Sequence, residues 1–350
     1  FLSVSGAASF AYFPGEVQGQ TGNVGFNQNG NRLDVNINSG VNGAVGQVDW
    51  KNFSVGAGQH VNFGFSGTSQ TIINRVLGGE ASTILGKLTN SCMNGSCDAN
   101  PASSKVILIN PAGVVFGAGS LVDLNSFTVS TFDFTGAKNL KGMSASQLSD
   151  YQRGVLNKLS PIAAVNGENR NTGTITFDSN YVDAFNKAGV KYDPGKTSIT
   201  LDGTIFSALD ENGNIQNYNE NKSIALVSDN ITYRDSILRT GSNLNYGDKI
   251  SFGNVRLVTA DGVSFTYSSS GYARSYEAKN DTKTDVVRKI DIDNSGLAAG
   301  TQAIRSGGVT IENKSNAAGS DIKIANTVVR ATKLINNENG DIIIMGSKNV

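Results

Sequence analysis

Residues 105–134 constrain the fold of this chain more than any other segment, because short apolar strands and turns alternate along them. The segment holds three or four strands rich in Val, Ile, Leu and Phe, separated by Asn-Pro, Ala-Gly, Gly-Ala-Gly and Asp-Leu-Asn turns. No helical period fits it, and no strand is long enough to form a hairpin with its neighbour. Such frequent turning between buried strands predicts a parallel β-helix, in which each circuit stacks on the last.

The composition agrees with a coiled chain. The 350 residues include 41 glycines and about 40 asparagines but only 5 prolines. Gly and Asn tolerate left-handed backbone conformations and favour tight turns. The apolar residues are regularly spaced and not depleted, which favours a solenoid over a disordered Asn/Gly tract. Length alone allows two or three domains, but one solenoid can extend over the whole chain.

Charge and the length of apolar runs argue against a nucleic-acid partner and against a membrane-spanning helix. Basic and acidic residues number 29 each, so the formal net charge is zero. We expect no nucleic-acid partner, because no basic stripe is visible in the sequence. No apolar run approaches the roughly 20 residues of a membrane helix.

One short motif and several flanking blocks resemble a known family. Residues 110–114, Asn-Pro-Ala-Gly-Val, resemble the Asn-Pro-Asn-Gly-Ile signature of the two-partner secretion (TPS) domain of filamentous haemagglutinin-like exoproteins. Ala112 stands where the family usually has a second Asn, which bears on the detail of recognition. The other blocks follow the family order over roughly residues 20–135: VDWKNF (48–53), INRV (73–76), STILGKL (82–88) and FTVST (127–131).

This resemblance implies a fold and a function. The expected fold is an all-β, right-handed parallel β-helix with an N-terminal cap and extra-helical insertions. The expected function is that of the N-terminal secretion domain of a large Gram-negative exoprotein, an adhesin. A dedicated outer-membrane β-barrel transporter would recognise the unfolded domain through its periplasmic domains, and the β-helix would fold at the cell surface. No cofactor is expected.

The residues that we expect to contact the transporter form two groups. They are Asn110, Pro111, Ala112, Gly113 and Val114 in the first motif, and Asn74, Arg75 and Val76 in the second. A purely structural role remains open for both groups. In that case the side-chain amide of Asn110 would form a hydrogen-bonded ladder with neighbouring coils, and Gly113 would only fit a turn.

Two other function classes remain open. The fragment could itself bind a host receptor or glycan, although activities of the full-length protein are expected C-terminal to this domain. Some parallel β-helices cleave polysaccharides, and Asp291 and Asp293 would share one strand face. An ordinary strand with Ile290 and Ile292 facing inward explains that pattern better, so we expect no enzyme.

The chain divides into four predicted regions. Residues 1–45 form the cap and first coils, 46–135 the motif-bearing coils, 136–195 an insertion, and 196–350 further coils that continue beyond the fragment. Within the insertion, Ser144 and Gln147 form a capping box that begins a helix over 147–159, and a second helix covers 181–188.

Repeat spacing predicts which strands stack in the C-terminal half. Residues 223–227 would pair with 248–252, and 321–324 with 341–344, in a rod of about a dozen coils. An Asn-Gly hairpin turn is predicted within 210–214. Residues 268–288 are predicted to form an exposed loop or extra-helical hairpin.

The remaining special residues have predicted structural roles. Cys92 and Cys97 are expected to close a small disulfide loop in an oxidising compartment, with free thiols as the alternative. No metal site is expected, because only His60 could assist the cysteines and the calcium-like residues near Asp210 lack the required Gly and Glu. His60 is expected on a strand surface, and Trp50 in the core or under the cap.

Overall fold

The computed structural model describes residues 13–93, 104–160, 173–207, 223–240, 253–267, 273–279, 281–331 and 340–346. Three parallel sheets, here named A, B and C, form the three sides of a solenoid. From β6 onward, each coil contributes strands to sheets A, C and B in that order. The predicted right-handed parallel β-helix is confirmed.

The elements are numbered in chain order. Sheet A contains β1 (Val17–Thr21), β4 (Val45–Trp50), β6 (Thr71–Val76), β9 (Lys105–Ile109), β12 (Ser126–Ser130), β16 (Ser223–Val227), β19 (Asn254–Thr259), β24 (Gly308–Asn313) and β27 (Asp341–Gly346). Sheet B contains β2 (Val24–Asn29), β3 (Arg32–Ile37), β5 (His60–Phe65), β8 (Lys87–Cys92), β11 (Leu121–Asp123), β15 (Ile205–Phe206), β18 (Ile237–Arg239), β23 (Gln302–Ser306) and β26 (Val328–Ala331). Sheet C contains β7 (Ser82–Ile84), β10 (Val114–Phe116), β14 (Ser198–Asp202), β17 (Asn230–Arg234), β22 (Lys289–Asp293) and β25 (Asp321–Ala325). Outside the solenoid lie α1 (Ala145–Gly154), a 3₁₀ helix (Leu156–Leu159), α2 (Asp183–Lys187) and sheet D, formed by β13 (Thr174–Asp178), β20 (Gly262–Tyr267) and β21 (Ala273–Lys279).

Antiparallel strands close the N-terminal end. β1 runs antiparallel to β4, and β2 and β3 form a hairpin whose second strand pairs in parallel with β5. In β3, Leu33, Val35 and Ile37 are buried and alternate with more exposed residues, as the sequence pattern predicts. Trp50 lies under this cap, with its ring 5.5 Å from that of Phe26. The hairpin therefore covers the edge that the first coil would otherwise expose.

Five neighbouring strands of sheet A, β4, β6, β9, β12 and β16, are buried on both faces. All five residues of β9 are buried, with Val106 and Leu108 in the solenoid core and Ile107 and Ile109 in a second apolar cluster outside it. A strand covered on both sides needs a nearly continuous apolar sequence, which explains the Lys-Val-Ile-Leu-Ile run of β9.

Two insertions provide the outer cover. Both leave the solenoid between a strand of sheet A and the next strand of sheet C, a position named here the A–C corner. The first carries α1, the 3₁₀ helix, β13 and α2, and the second carries β20 and β21. β13 pairs with β20, which joins the two insertions in sheet D. None of the helices in the described residues is long and apolar enough to cross a membrane.

The helix predictions hold with shifted boundaries. Ser144 caps α1 and forms the predicted capping box with Gln147. The predicted helix over 147–159 is divided, because α1 ends at Gly154 and a 3₁₀ helix follows. The second helix is shorter than predicted. The region boundaries at residues 45, 135 and 195 stay predictions.

The predicted strand repeats were wrong. β16 pairs with residues 254–258, whereas residues 248–252 lie outside the described part of the chain. Residues 321–324 belong to sheet C and 341–344 to sheet A, so these two similar segments do not stack on each other. In the described residues, sheet A has nine strands, fewer than the dozen coils predicted.

Two further predictions concern surface loops. The predicted turn at 210–214 lies outside the described residues. Within residues 268–288, β21 pairs antiparallel with β20 outside the solenoid, as the predicted extra-helical hairpin requires. Arg288, at the end of this segment, is fully buried and does not belong to an exposed loop.

Candidate functional site

The first motif forms a tight turn at an A–C corner. Asn110 follows β9, and Val114 begins β10. The Gly113 amide donates to the Asn110 carbonyl at 3.0 Å, and the Asn110 side-chain oxygen accepts from the Ala112 amide at 2.9 Å. The turn is therefore stabilised within itself, without the second Asn that is usual at position 112.

The Asn110 amide group also ties this turn to the preceding coil. Its Nδ2 donates to the Glu80 carbonyl and to Ser82 Oγ, both at 2.9 Å. The residue is fully buried, and replacing it would leave several of these partners unsatisfied. The predicted amide ladder is thus replaced by bonds from one asparagine to a main-chain carbonyl and a serine hydroxyl.

Gly113 satisfies a backbone requirement. Its φ is +107°, a conformation that residues with a Cβ rarely adopt. A Cβ at this position would also lie 3.0 Å from the Ser198 carbonyl oxygen of the next coil. The glycine is therefore needed both for the turn and for close stacking of β14.

The second motif lies in β6, where Asn74, Arg75 and Val76 are all fully buried. Asn74 Oδ1 accepts from Trp50 Nε1 at 3.0 Å, and Asn74 Nδ2 donates to the Ile107 carbonyl at 3.3 Å. This one amide bridges three successive strands of sheet A.

Arg75 points to the outer side of sheet A and forms a buried ion network. Its guanidinium makes a two-point contact with Asp133 at 3.0 and 2.7 Å and donates to Asp49 at 2.9 Å. Burial alone would lower the pKa of Arg75, but the charges of Asp133 and Asp49 raise it above its ordinary value. Burial raises the pKa of Asp133, an effect that Arg75 opposes.

The first insertion closes over this network. The Leu140 amide donates to Asp49 Oδ2 at 2.8 Å, and the Lys138 carbonyl accepts from Arg75 at 3.0 Å. The Phe185 ring of α2 lies 5.6 Å from the Arg75 guanidinium. The charged cluster therefore helps to join the insertion to the motif-bearing coils, together with the apolar cluster outside sheet A.

The two motifs meet in space. Arg75 pairs with Ile109, the residue before Asn110, so both motifs occupy the same A–C corner in adjacent coils. Sequence analysis did not identify Asp133 as a partner of Arg75, since the two residues lie 58 positions apart. The available signal was an aspartate between two phenylalanines, Phe132 and Phe134, which are themselves buried.

A second buried network resembles the first. Arg288 contacts Asp229 at 3.1 Å and Asp261 at 3.0 Å, and it also pairs with Asp281. Asp229 follows β16 at an A–C corner, and Asp261 lies at the start of the second insertion. Sequence analysis missed this network because its four residues span about 60 positions.

The other candidate residues occupy strand surfaces. His60 is half-buried on sheet B and lies 2.6 Å from Thr89 Oγ1. On β22, Asp291 pairs with Arg234, and Asp293 accepts from Asn326 at 2.9 Å. Ile290 and Ile292 are buried, as an ordinary strand requires. Among the described residues, no group of three or more His, Cys, Asp or Glu could hold a metal ion.

The cysteine prediction is not tested. Cys92 ends β8 and is half-buried. Cys97 lies outside the described residues, so the disulfide stays a prediction.

Comparison with known proteins identifies the family. The profile of the family described as "TPS secretion domain" matches residues 14–349. Two Haemophilus influenzae sequences named heme/hemopexin-binding protein are 36% and 34% identical to this chain over 87 residues. Each match covers 25% of this chain and 8% of the relative, so the chain spans a small part of those proteins.

Solved structures of two secretion domains are similar to this chain at low sequence identity. The filamentous hemagglutinin secretion domain has a TM-score of 0.44 at 12% identity, covering 96% of this chain and 99% of that chain. The HMW1 secretion domain from Haemophilus influenzae has a TM-score of 0.35 at 15% identity, covering 88% and 74%. The family match extends over nearly the whole chain, and this protein therefore belongs to the TPS secretion domain family of exoproteins.

Proposed function

We propose that this chain is the N-terminal domain through which a large exoprotein is recognised by a cognate outer-membrane transporter. The periplasmic domains of the transporter bind the domain before it folds, and the β-helix then forms at the cell surface. The family match over residues 14–349 is the observation that carries this proposal.

The burial of the motif supports recognition before folding. Asn74, Arg75 and Asn110 are all fully buried in the folded coil. A transporter can read these side chains only while the segment is extended, for example as a strand added to one of its own sheets. Folding outside then withdraws the recognition segment and favours movement in one direction.

Asn313 offers a matched control for Asn110. It ends β24 at the corner position equivalent to Asn110, four coils further on. Its Nδ2 donates to the Arg288 and Asp321 carbonyls at 2.8 and 3.0 Å, and its Oδ1 accepts from the Ser315 amide at 3.0 Å. Asn110→Ala and Asn313→Ala therefore remove similar buried bonds, but only one lies in the motif.

Secretion into the medium tests the proposal. Cells with and without the transporter express wild type, Asn110→Ala or Asn313→Ala, and each purified variant is refolded as a control. We expect transporter-dependent secretion of wild type and Asn313→Ala and loss for Asn110→Ala. Equal loss in both variants would reduce Asn110 to a structural residue. Secretion of wild type without the transporter would overturn the proposed function.

Arg75 and Arg288 form a second matched pair, since each is a fully buried arginine held by aspartates. We expect Arg75→Gln to reduce secretion more than Arg288→Gln if the second motif takes part in recognition. Equal reductions would assign both arginines to folding alone.

We further propose that the full-length protein is an adhesive exoprotein of the cell surface, secreted after passage through the periplasm. The Haemophilus relatives are named for binding heme and hemopexin, and a ligand-binding relative supports this proposal. Binding of labelled isolated chain to host cells would assign adhesion to this domain. Binding by the full-length protein alone would assign it to the remainder of the exoprotein.

A further inference from the structure

Three arginines form a column on the outer face of sheet B, named here the arginine column. The strand register pairs Arg239 with Arg305, and Arg305 with Arg330. Paired residues of neighbouring strands lie about 5 Å apart on the same face of a sheet. The fold therefore places three positive charges in a row along the solenoid axis, although the first and last lie 91 positions apart in sequence (330 − 239).

The charges of the column are not compensated. In the part of the chain that the structure describes, none of the three arginines forms an ion pair with a carboxylate. Burial, together with the charges of Arg330 and Arg239, lowers the pKa of Arg305. By contrast, Arg75 and Arg288 each contact two or more aspartates.

Arg239 also has an unused hydrogen-bond donor. Its Nε is buried without a partner, and its Nη2 has only a long contact of 3.5 Å to the Gln302 carbonyl. A buried donor without a partner and like charges in register both destabilise the free protein. An anion placed along the column would relieve the repulsion between the like charges.

The geometry favours an extended polyanion. Guanidinium groups bind sulfate and carboxylate groups through two parallel hydrogen bonds. A linear polysaccharide with an acidic group on its sugars repeats its charges along one direction, as the column does. A single-stranded nucleic acid would also need aromatic side chains for base stacking, and β18, β23 and β26 contain none.

We propose that the arginine column is a binding site for a linear sulfated or carboxylated polysaccharide. The site lies on sheet B, away from the transporter motif at the A–C corner. The proposal does not depend on transporter recognition, because it concerns the folded, purified chain. The secretion domain itself then contacts acidic glycans at the cell surface.

Equilibrium binding of fluorescent dextran sulfate to the purified chain tests the proposal, with uncharged dextran as the negative probe. We expect Arg305→Gln to weaken binding by about tenfold or more, because it removes a charge-assisted contact at the centre of the column. Arg305→Lys retains the charge and keeps part of the affinity. Arg153→Gln is the matched control, since Arg153 is exposed on α1 and pairs with Asp150.

A thermal unfolding readout separates binding from misfolding. Arg305→Gln should be at least as stable as wild type without ligand, because like-charge repulsion is reduced. Dextran sulfate should raise the unfolding temperature of wild type and of Arg153→Gln more than that of Arg305→Gln. Equal effects on all three proteins, or no binding by wild type, would overturn the proposal. Column-dependent binding to anionic phospholipid vesicles without binding to dextran sulfate would also overturn it, in favour of a lipid headgroup.

Discussion

Replacement of Arg75 by Met tests whether the buried ion network holds the first insertion onto the coils. The substitution keeps the apolar volume but removes four hydrogen bonds, three to Asp133 and Asp49 and one to the Lys138 carbonyl. Two buried carboxylates then lose their counter-charge. Breaking a buried ion pair in this way costs about 3–5 kcal/mol, so we expect a loss of stability in that range at pH 7.

The loss should depend on pH in a defined direction. Without Arg75, burial raises the pKa of the folded-state Asp133 carboxyl above its unfolded value. The folded variant then binds more protons than the unfolded chain, so its stability rises as pH falls. The difference between wild type and Arg75→Met should therefore be largest near pH 8 and narrow toward pH 5.

Urea unfolding followed by the fluorescence of Trp50 measures this effect locally. Trp50 is the single tryptophan, and its indole donates to Asn74, the neighbour of Arg75. A local probe is needed because coils of a solenoid can unfold separately. A triple variant that also carries Asp49→Asn and Asp133→Asn should recover most of the lost stability. A loss under about 1 kcal/mol, or one that is equal at pH 5 and pH 8, would refute the reasoning.

Three further predictions concern the turn, a buried lysine and the cysteines. In urea unfolding, Gly113→Ala should lower the free energy of unfolding by about 2 kcal/mol and Gly119→Ala by about 1 kcal/mol. Both glycines have positive φ, but only at Gly113 would a Cβ also meet a carbonyl oxygen. Burial lowers the pKa of Lys105 to about 7 in the folded chain. Above that pH the folded chain therefore loses the Lys105 proton while the unfolded chain keeps it. Stability should rise between pH 7 and 9 in wild type but not in Lys105→Met, and an equal rise in both would contradict this assignment. Thiol titration in denaturant should find no free thiol at Cys92 or Cys97, and two free thiols would refute the disulfide. Because the loop is short, reduction should lower the free energy of unfolding by no more than about 2 kcal/mol.

Local sequence signals predicted local structure well. The capping box of Ser144 and Gln147 involves residues three positions apart, so its hydrogen bonds depend little on the rest of the fold. The alternating pattern of β3 likewise identified its inward residues. The Asn-Pro-Ala-Gly turn was predicted because two of its hydrogen bonds lie within the turn itself.

Strand partners were not predictable from local patterns. The segments Asp-Ile-Lys-Ile at 321–324 and Asp-Ile-Ile-Ile at 341–344 look alike, yet they belong to different sheets. Either segment satisfies the local requirements of a stacked strand, because each offers apolar side chains on at least one face and an open ladder. The choice depends on how many residues each corner and insertion uses, which is a property of the whole coil.

The sequence by itself determined that this chain forms short strands, turns at defined residues and builds a solenoid of the TPS secretion family. Only the tertiary structure decided that Asn74, Arg75 and Asn110 are buried at one corner, and that Arg239, Arg305 and Arg330 share one column. The physical reason is that turn and strand formation depend on interactions within a few residues. Burial of charge and alignment of like charges arise when distant coils stack in one register, and no local pattern specifies that register.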